Sequence, residues 1–443
     1  MNKKYSRYNT LLRVNDRFGL FYNAMSDKFI VLKTLAYDAL RQSGVEDLEH
    51  NATTLYEQLT EVGGIVDADV DEVQKVRDLI HSVDEDDTVF HLHVNPTVDC
   101  NFRCWYCYED HVKGSKMSEE TREAVKKLID DIISHNKSLK EFHLSFFGGE
   151  PLMYFNFVAR HIIEYFYLKC SEAAISPFLH FTTNGYLLTD SMLDFFKGKN
   201  VSFQITLDGN RESHDKTRFM KNGNGSFDRI VKNIKSLVHD GHYVVVRINY
   251  TEKNIGSVRA VVQHFQDVEK DSRRYISFDF QRVWQDIGKA TDEDEIEENV
   301  LGMVEDAGYD GFGATYAKNS DRVRYSCYGD KKNYVLVNYD GNTFQCTARD
   351  FTDDNRSGKL LSDGRIMYDR RQPSHRRAYK FSKAVCHDCR IAPICGGGCA
   401  QKAFEYKDEE RCIYGYGEKD IDDVVLKRFD YMYSIKHGIG KDS

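Results

Sequence analysis

Three thiols stand close together in the run Cys100-Asn-Phe-Arg-Cys104-Trp-Tyr-Cys107. A four-iron cubane takes four thiolates, so three at this spacing leave one iron open to a small molecule. Seven more cysteines follow far downstream, at Cys327, Cys346, Cys386, Cys389, Cys395, Cys399 and Cys412. Two further cubanes want eight ligands, and seven thiols leave a second vacancy. Zinc is the competing reading of both groups. The triplet would then need a fourth ligand such as His111, and Cys386 and Cys389 could join later cysteines in a ribbon site. Trp105 and Tyr106 ahead of the last thiol are unusual for a zinc knuckle, and seven thiols suit two cubanes better than one tetrahedral ion. Cys170 ends a helical pattern that begins at Phe157 and reads as a buried small hydrophobe.

These thiols need a reducing compartment and a folded frame. The 443 residues, 41% hydrophobic and 30% charged, describe a globular chain of two or three domains. No apolar run approaches the roughly 20 residues of a membrane helix, and the first residues lack a signal-peptide stretch. The expected location is the cytoplasm, where clustered cysteines act as ligands rather than disulfides. A net charge of -9 offers no basic face to nucleic acid.

From residue 89 to 285, apolar β-type runs alternate with helical patterns, the order of βα units around a parallel sheet. The runs are 90–98, 142–147, 178–183, 201–207, 243–250 and 276–283, with helices expected near 118–135, 155–170, 190–198, 226–239 and 254–268. Ser118 before Glu119 and Glu120 is a good helix start. The expected fold class is α/β, a partial (β/α)6 TIM-like barrel with its chemistry at the carboxyl ends of the strands. Cys100, Cys104 and Cys107 follow the first strand. Gly148, Gly149, Glu150 and Pro151 follow the second, Thr182 to Gly185 end the third, and Thr206 to Gly209 end the fourth. His214 and Asp215 are candidates for proton transfer or for a helix start. Residues 1–88 give three short strands and then three helices, the order of a winged-helix-like module, closed by the acidic run Asp84 to Asp87, which reads as a solvated linker. Residues 286–325 read as a charged bridging helix and linker, and 326–443 as a cysteine-rich domain ending in an amphipathic pattern, 421–435.

With Tyr106 just before its third thiol, the triplet resembles the signature of the radical S-adenosylmethionine enzymes. That resemblance implies a four-iron cluster on Cys100, Cys104 and Cys107 whose open iron chelates the methionine end of S-adenosylmethionine. One electron then yields a 5'-deoxyadenosyl radical, which takes hydrogen from a substrate. It also implies that Tyr106, Gly148, Gly149, Glu150, Pro151, Asn184, Thr206 and Arg218 hold the cofactor, with Glu150 receiving its ammonium. A flavodoxin or ferredoxin would supply the electron.

The seven downstream cysteines, with Gly341 between Cys327 and Cys346, resemble the auxiliary-cluster extension called SPASM. By that resemblance Cys386, Cys389, Cys395 and Cys412 hold an outer cluster, and Cys327, Cys346 and Cys399 an inner one. Sulfatase-maturing relatives have an eighth cysteine where this chain has Asp321, an acidic base where it has Thr347, and a polar peptide contact where it has Phe147. The N-terminal module resembles the leader-binding element of maturases of ribosomally made peptides (RiPPs). The implied function is a radical peptide maturase that forms a crosslink, a thioether or another bond, on a precursor peptide. A sulfatase-maturing enzyme, a small-molecule dehydrogenase and a non-catalytic iron–sulfur electron carrier are the alternatives. No membrane or nucleic-acid partner is expected.

Overall fold

The computed structural model describes residues 2–289, 291–316, 321–369 and 376–437. The chain divides into two compact units. The first comprises residues 2–86, 321–332 and 376–437, and the second residues 87–289, 291–316 and 333–369.

In the first unit, β2 (Asn9–Arg13), β3 (Phe18–Asn23) and β4 (Lys28–Lys33) form an antiparallel meander, while β1 (Lys3–Tyr5) pairs with β5 (Ile65–Asp67). Helices α1 (Thr34–Gln42), α2 (Val45–Asn51), α3 (Thr53–Glu61) and α4 (Glu72–Asp84) complete the N-terminal part. The meander and three of the helices follow the order that the sequence predicts. The β1–β5 pair and α2 are additions, and both are weak in pattern. Leu48 is the single buried side chain of α2, too little for a helical period. The helix Glu418–His437 lays Ile421 and Val425 into a core with Tyr8, Tyr22, Val76 and Ile394, and Arg428 pairs with Asp27.

The acidic run is more than a solvated linker. Asp84 is buried, accepting from Lys380 Nζ at 2.7 Å and from Ser326 Oγ at 2.7 Å. Lys380 also reaches Asp330 at 3.3 Å, and Glu85 pairs with Arg377 at 3.0 Å. A buried carboxylate is tolerated because cations and donors replace its lost water.

The second unit is built on an open sheet, ordered β12-β11-β10-β9-β8-β7-β6-β13-β14-β15-β16. Its parallel strands are β6 (Val89–Val94), β7 (Glu141–Phe146), β8 (Ser176–Thr183), β9 (Val201–Thr206), β10 (Tyr243–Tyr250), β11 (Ile276–Arg282), β12 (Gly313–Tyr316) and β13 (Tyr334–Val337). The antiparallel strands β14 (Asn342–Phe344), β15 (Gly358–Leu360) and β16 (Ile366–Tyr368) extend one edge. Six parallel strands were expected and eight are present among the described residues. β12 and β13 escape the sequence reading because each has four residues, too few for a period of two to stand out.

Alternation along these strands sorts the two faces. Leu92, Phe142, Leu144, Phe181, Phe203 and Val246 join α5 (Glu119–His135), α6 (Arg160–Glu172), α7 (Asp190–Phe196) and α9 (Phe227–His239) in one apolar core. Between α7 and α9 lies α8 (Arg211–Thr217). Ser118 Oγ caps α5 by accepting from the Thr121 N–H at 3.1 Å. Cys170 is buried on α6 within this core. The opposite face carries polar side chains, and the strand ends carry the candidate site.

Candidate active site

The loop after β6 holds the three thiols, and Asp99 anchors it. Asp99 Oδ1 accepts from the Cys100 N–H at 2.8 Å and from Lys221 Nζ at 3.0 Å, and Oδ2 accepts from the Gly114 N–H at 2.9 Å. Burial works to raise the Asp99 carboxyl, but these donors outweigh it and hold it below its ordinary value. Nothing in the sequence singles out Asp99, since its role lies in contacts to residues 15 and 122 positions away.

The second strand end closes against this loop. The Gly149 N–H donates to Thr97 O at 3.2 Å and the Glu150 N–H to Asp99 O at 2.9 Å. A Cβ on Gly148 would stand 2.3 Å from Thr97 O, and one on Gly149 2.1 Å from Asp99 O. The two glycines are therefore required by the chain's own backbone, where the sequence suggested approach to a ligand. Glu150 is fully buried. Its Oε1 accepts from the Leu152 N–H at 3.0 Å and Thr183 Oγ1 at 2.6 Å, and its Oε2 from the Asn184 N–H at 2.8 Å. Burial raises this carboxyl, with the three donors opposing. A carboxylate offers about four acceptor sites, so Oε2 keeps one for a further donor. Pro151 opens a short 3-10 turn behind it.

Asn184 ties the third strand end to the thiols, its Nδ2 donating to Asn101 Oδ1 at 2.8 Å and lying 3.9 Å from Cys100 Sγ. Thr206 is buried at the end of β9. Beyond it, a hub forms at the Tyr106 hydroxyl, which donates to Asp208 Oδ2 and accepts from Arg218 Nη1 at 2.7 Å and Asn249 Nδ2 at 3.2 Å. Asp208 and Arg218 are both buried, and Arg218 Nε has no hydrogen-bond partner among the described residues. Asp208 and Asn249 are additions to the sequence-based set. Asp208 was visible as part of a polar strand end, whereas Asn249 sits in an apolar alternation on β10 that gives no such signal.

His214 and Asp215 build this hub's frame. Buried His214 accepts the Asp208 N–H at Nδ1, 3.2 Å away, and its Nε2 lies 3.0 Å from Ser226 Oγ. Asp215 Oδ1 accepts from the N–H groups of Ser226 and Phe227, at the start of α9. Burial, with Arg218 adding, keeps His214 neutral well below its ordinary value.

The triplet thiols are held neutral as free side chains. Burial pushes Cys100 up to about 12 and raises Cys104 too, while Cys107 lies exposed at the end of the triplet. Metal ligation would displace these protons. In the first unit, Cys386, Cys389, Cys395 and Cys412 line one cavity of about 260 Å³. Among the described residues no three His, Cys, Asp or Glu side chains close on a single metal ion. The four cysteines line one common cavity, a donor set compatible with a cluster. Asp321 is buried, with Oδ1 accepting from the Val323 and Arg324 N–H groups and Oδ2 from Arg324 Nη1 at 2.6 Å. Three donors within its own turn hold this carboxylate, which, like that of Glu150, keeps one acceptor site on its second oxygen.

Comparison with known proteins gives this arrangement a family. Residues 94–254 match the model of the Radical SAM superfamily. A cysteine-type anaerobic sulfatase-maturating enzyme of Clostridium novyi is 29% identical over 182 residues, 41% of this chain and 48% of that one. The radical SAM cyclopropyl synthase TigE of Paramaledivibacter caminithermalis is 28% identical over 159 residues, 33% of this chain and 32% of that one. The matched parts thus span about half or less of these curated relatives. In fold, the chain is similar to SuiB of Streptococcus suis bound to the precursor peptide SuiA, with a TM-score of 0.53 and 17% identity over 94% of this chain and 99% of that one. No described helix is long and apolar enough to cross a membrane. Residues 94–254 thus carry a radical SAM domain, and the chain resembles radical SAM enzymes, SPASM-type RiPP maturases among them.

Proposed function

We propose that this enzyme abstracts a hydrogen atom from a ribosomally made peptide and forms a crosslink in it. The superfamily implies a four-iron cluster and S-adenosylmethionine, which together supply a 5'-deoxyadenosyl radical. Cys100, Cys104 and Cys107 would ligate that cluster. Glu150 would take the methionine ammonium at its remaining acceptor site, and Asn184, Thr206 and Arg218 would hold the carboxylate and ribose. The observation that carries this reading is the meeting of four strand ends on the cysteine loop, where a carboxylate with one open site and an arginine whose Nε has no partner among the described residues stand near Cys100.

Cys386, Cys389, Cys395 and Cys412 would hold an auxiliary four-iron cluster, supported by the cavity they line. The vacancy in the inner set would fall to the acceptor site that Asp321 keeps, to water or to a substrate thiolate. The winged-helix-like module would bind the peptide leader. Support comes from β4, an edge strand with Val31 56% exposed, since an extended peptide can add to such an edge by main-chain bonds. Sulfatase maturation is the second reading, favoured by the Clostridium novyi relative. Thr347 weighs against it, because a hydroxyl is too weak a base to replace a carboxylate. The test is anaerobic turnover of the reconstituted enzyme with short cysteine-bearing candidate precursor peptides. A product two hydrogens lighter and resistant to thiol alkylation is expected, and an unmodified peptide beside a sulfatase peptide converted to its aldehyde would reverse the assignment.

A further inference from the structure

Three loops at the carboxyl ends of the sheet display large apolar side chains to solvent. The cysteine loop exposes Trp105, Tyr108 and Val112, the loop after Arg218 exposes Phe219, and the turn after β11 exposes Trp284 and Ile287. These loops are joined to one another. Tyr108 and Trp284 stack with ring centroids 5.4 Å apart and 21° between planes, Gln285 Nε2 donates to Tyr106 O at 3.2 Å, and the Lys221 N–H donates to Asn101 O at 3.2 Å. Together they make an apolar rim beside the thiols. Soluble proteins seldom leave such a patch uncovered without a binding role.

The strand positions leading to the rim have the opposite character. Arg247, Asn249, Asp279 and Gln281 are part-exposed on the polar face, with Arg247 Nε donating to Asn249 Oδ1 at 3.1 Å and Gln281 Nε2 to Asp279 Oδ1 at 2.7 Å. A ligand suited to both regions needs hydrogen-bonding groups at one end and an apolar group at the other. A sugar would leave the rim uncovered, and a hydrocarbon would strip water from the polar strands without return. A peptide segment meets both demands, its amides on the strands and one side chain against the ring pair.

We propose that Tyr108, Trp284 and Ile287 form a specificity pocket for an apolar side chain adjacent to the modified residue. The proposal rests on the peptide reading above and adds a preference that reading does not contain. Trp105 and Trp284 are the chain's two tryptophans, so intrinsic emission reports on this rim. The experiment titrates the reconstituted holoenzyme with S-adenosylmethionine alone, and with two blocked tetrapeptides, Gly-Leu-Cys-Gly and Gly-Glu-Cys-Gly. The leucine peptide should shift the emission saturably and bind at least fivefold tighter than the glutamate peptide. Tyr108→Ser, and separately Ile287→Ser at a position 60% exposed and safe for folding, should each erase that preference. Equal binding of the two peptides, an unchanged preference in both variants, or a full shift with S-adenosylmethionine alone that no peptide adds to would overturn the pocket. Binding of neither peptide to the wild type would count against the peptide reading itself.

Discussion

Asp208 and Tyr106 are joined by a hydrogen bond across 102 positions of sequence, with the Tyr106 hydroxyl donating to the Asp208 carboxylate. The same hydroxyl accepts from Arg218, so one oxygen lies between a buried anion and a buried cation. Burial first, with Asp208 reinforcing it against Arg218, holds the phenol well above its ordinary value, and it stays a donor at all working pH. Tyr106→Phe should lower stability by about 1–3 kcal/mol, the cost of leaving buried polar groups short of a partner. It should also weaken S-adenosylmethionine binding by equilibrium dialysis. Unchanged unfolding and unchanged binding would show that the hydroxyl organises nothing.

Gly148→Ala should be among the most damaging small substitutions in the chain. The residue has φ +95°, and the added Cβ would meet backbone at 2.3 Å. Strain of this type costs on the order of 1–3 kcal/mol before any backbone movement. Thermal unfolding and iron content should both fall, and a variant with wild-type values for both would remove the close approach from the picture.

Cys412→Ala takes one of four thiols from the cavity in the first unit. The purified, reconstituted variant should lose about four irons, the content of one cubane, while Cys100, Cys104 and Cys107 keep theirs. Full iron content by chemical analysis would mean that the cavity holds no cluster.

The pH dependence of stability should carry a histidine signature. Burial, with His143 adding, pushes His180 down to about 4. Between that value and the ordinary value near 6.5 the unfolded chain takes up a proton that the folded chain refuses. Stability from this group is thus complete above pH ~6.5 and falls as pH drops, by at most about 1.4 kcal/mol per unit. The urea midpoint of His180→Gln should decline less than that of the wild type between pH 7 and 5. Parallel declines would locate the effect elsewhere.

The parallel sheet was legible because buried strands of six to eight residues separated by amphipathic helices leave a strong period. Short β12 and β13 leave none. Within the site, spacing singled out the thiols, strand-end position pointed to Glu150 and Asn184, and the family resemblance pointed to Arg218. Asp99, Lys221 and Asn249 were invisible, since each acts through a partner brought near only by folding. The reverse holds for Asp84, where a run of acids resembled solvent-facing linker until Lys380 and Ser326 were placed beside it.

The most direct measurement is release of 5'-deoxyadenosine under anaerobic reduction with dithionite and S-adenosylmethionine, comparing the reconstituted wild type with Cys104→Ala. The wild type should release it, faster when the precursor peptide is present, and the variant should release none while keeping the irons bound by the downstream cysteines. No release from a fully loaded wild type, or equal release from both proteins, would contradict a radical site built on the three thiols of the first loop.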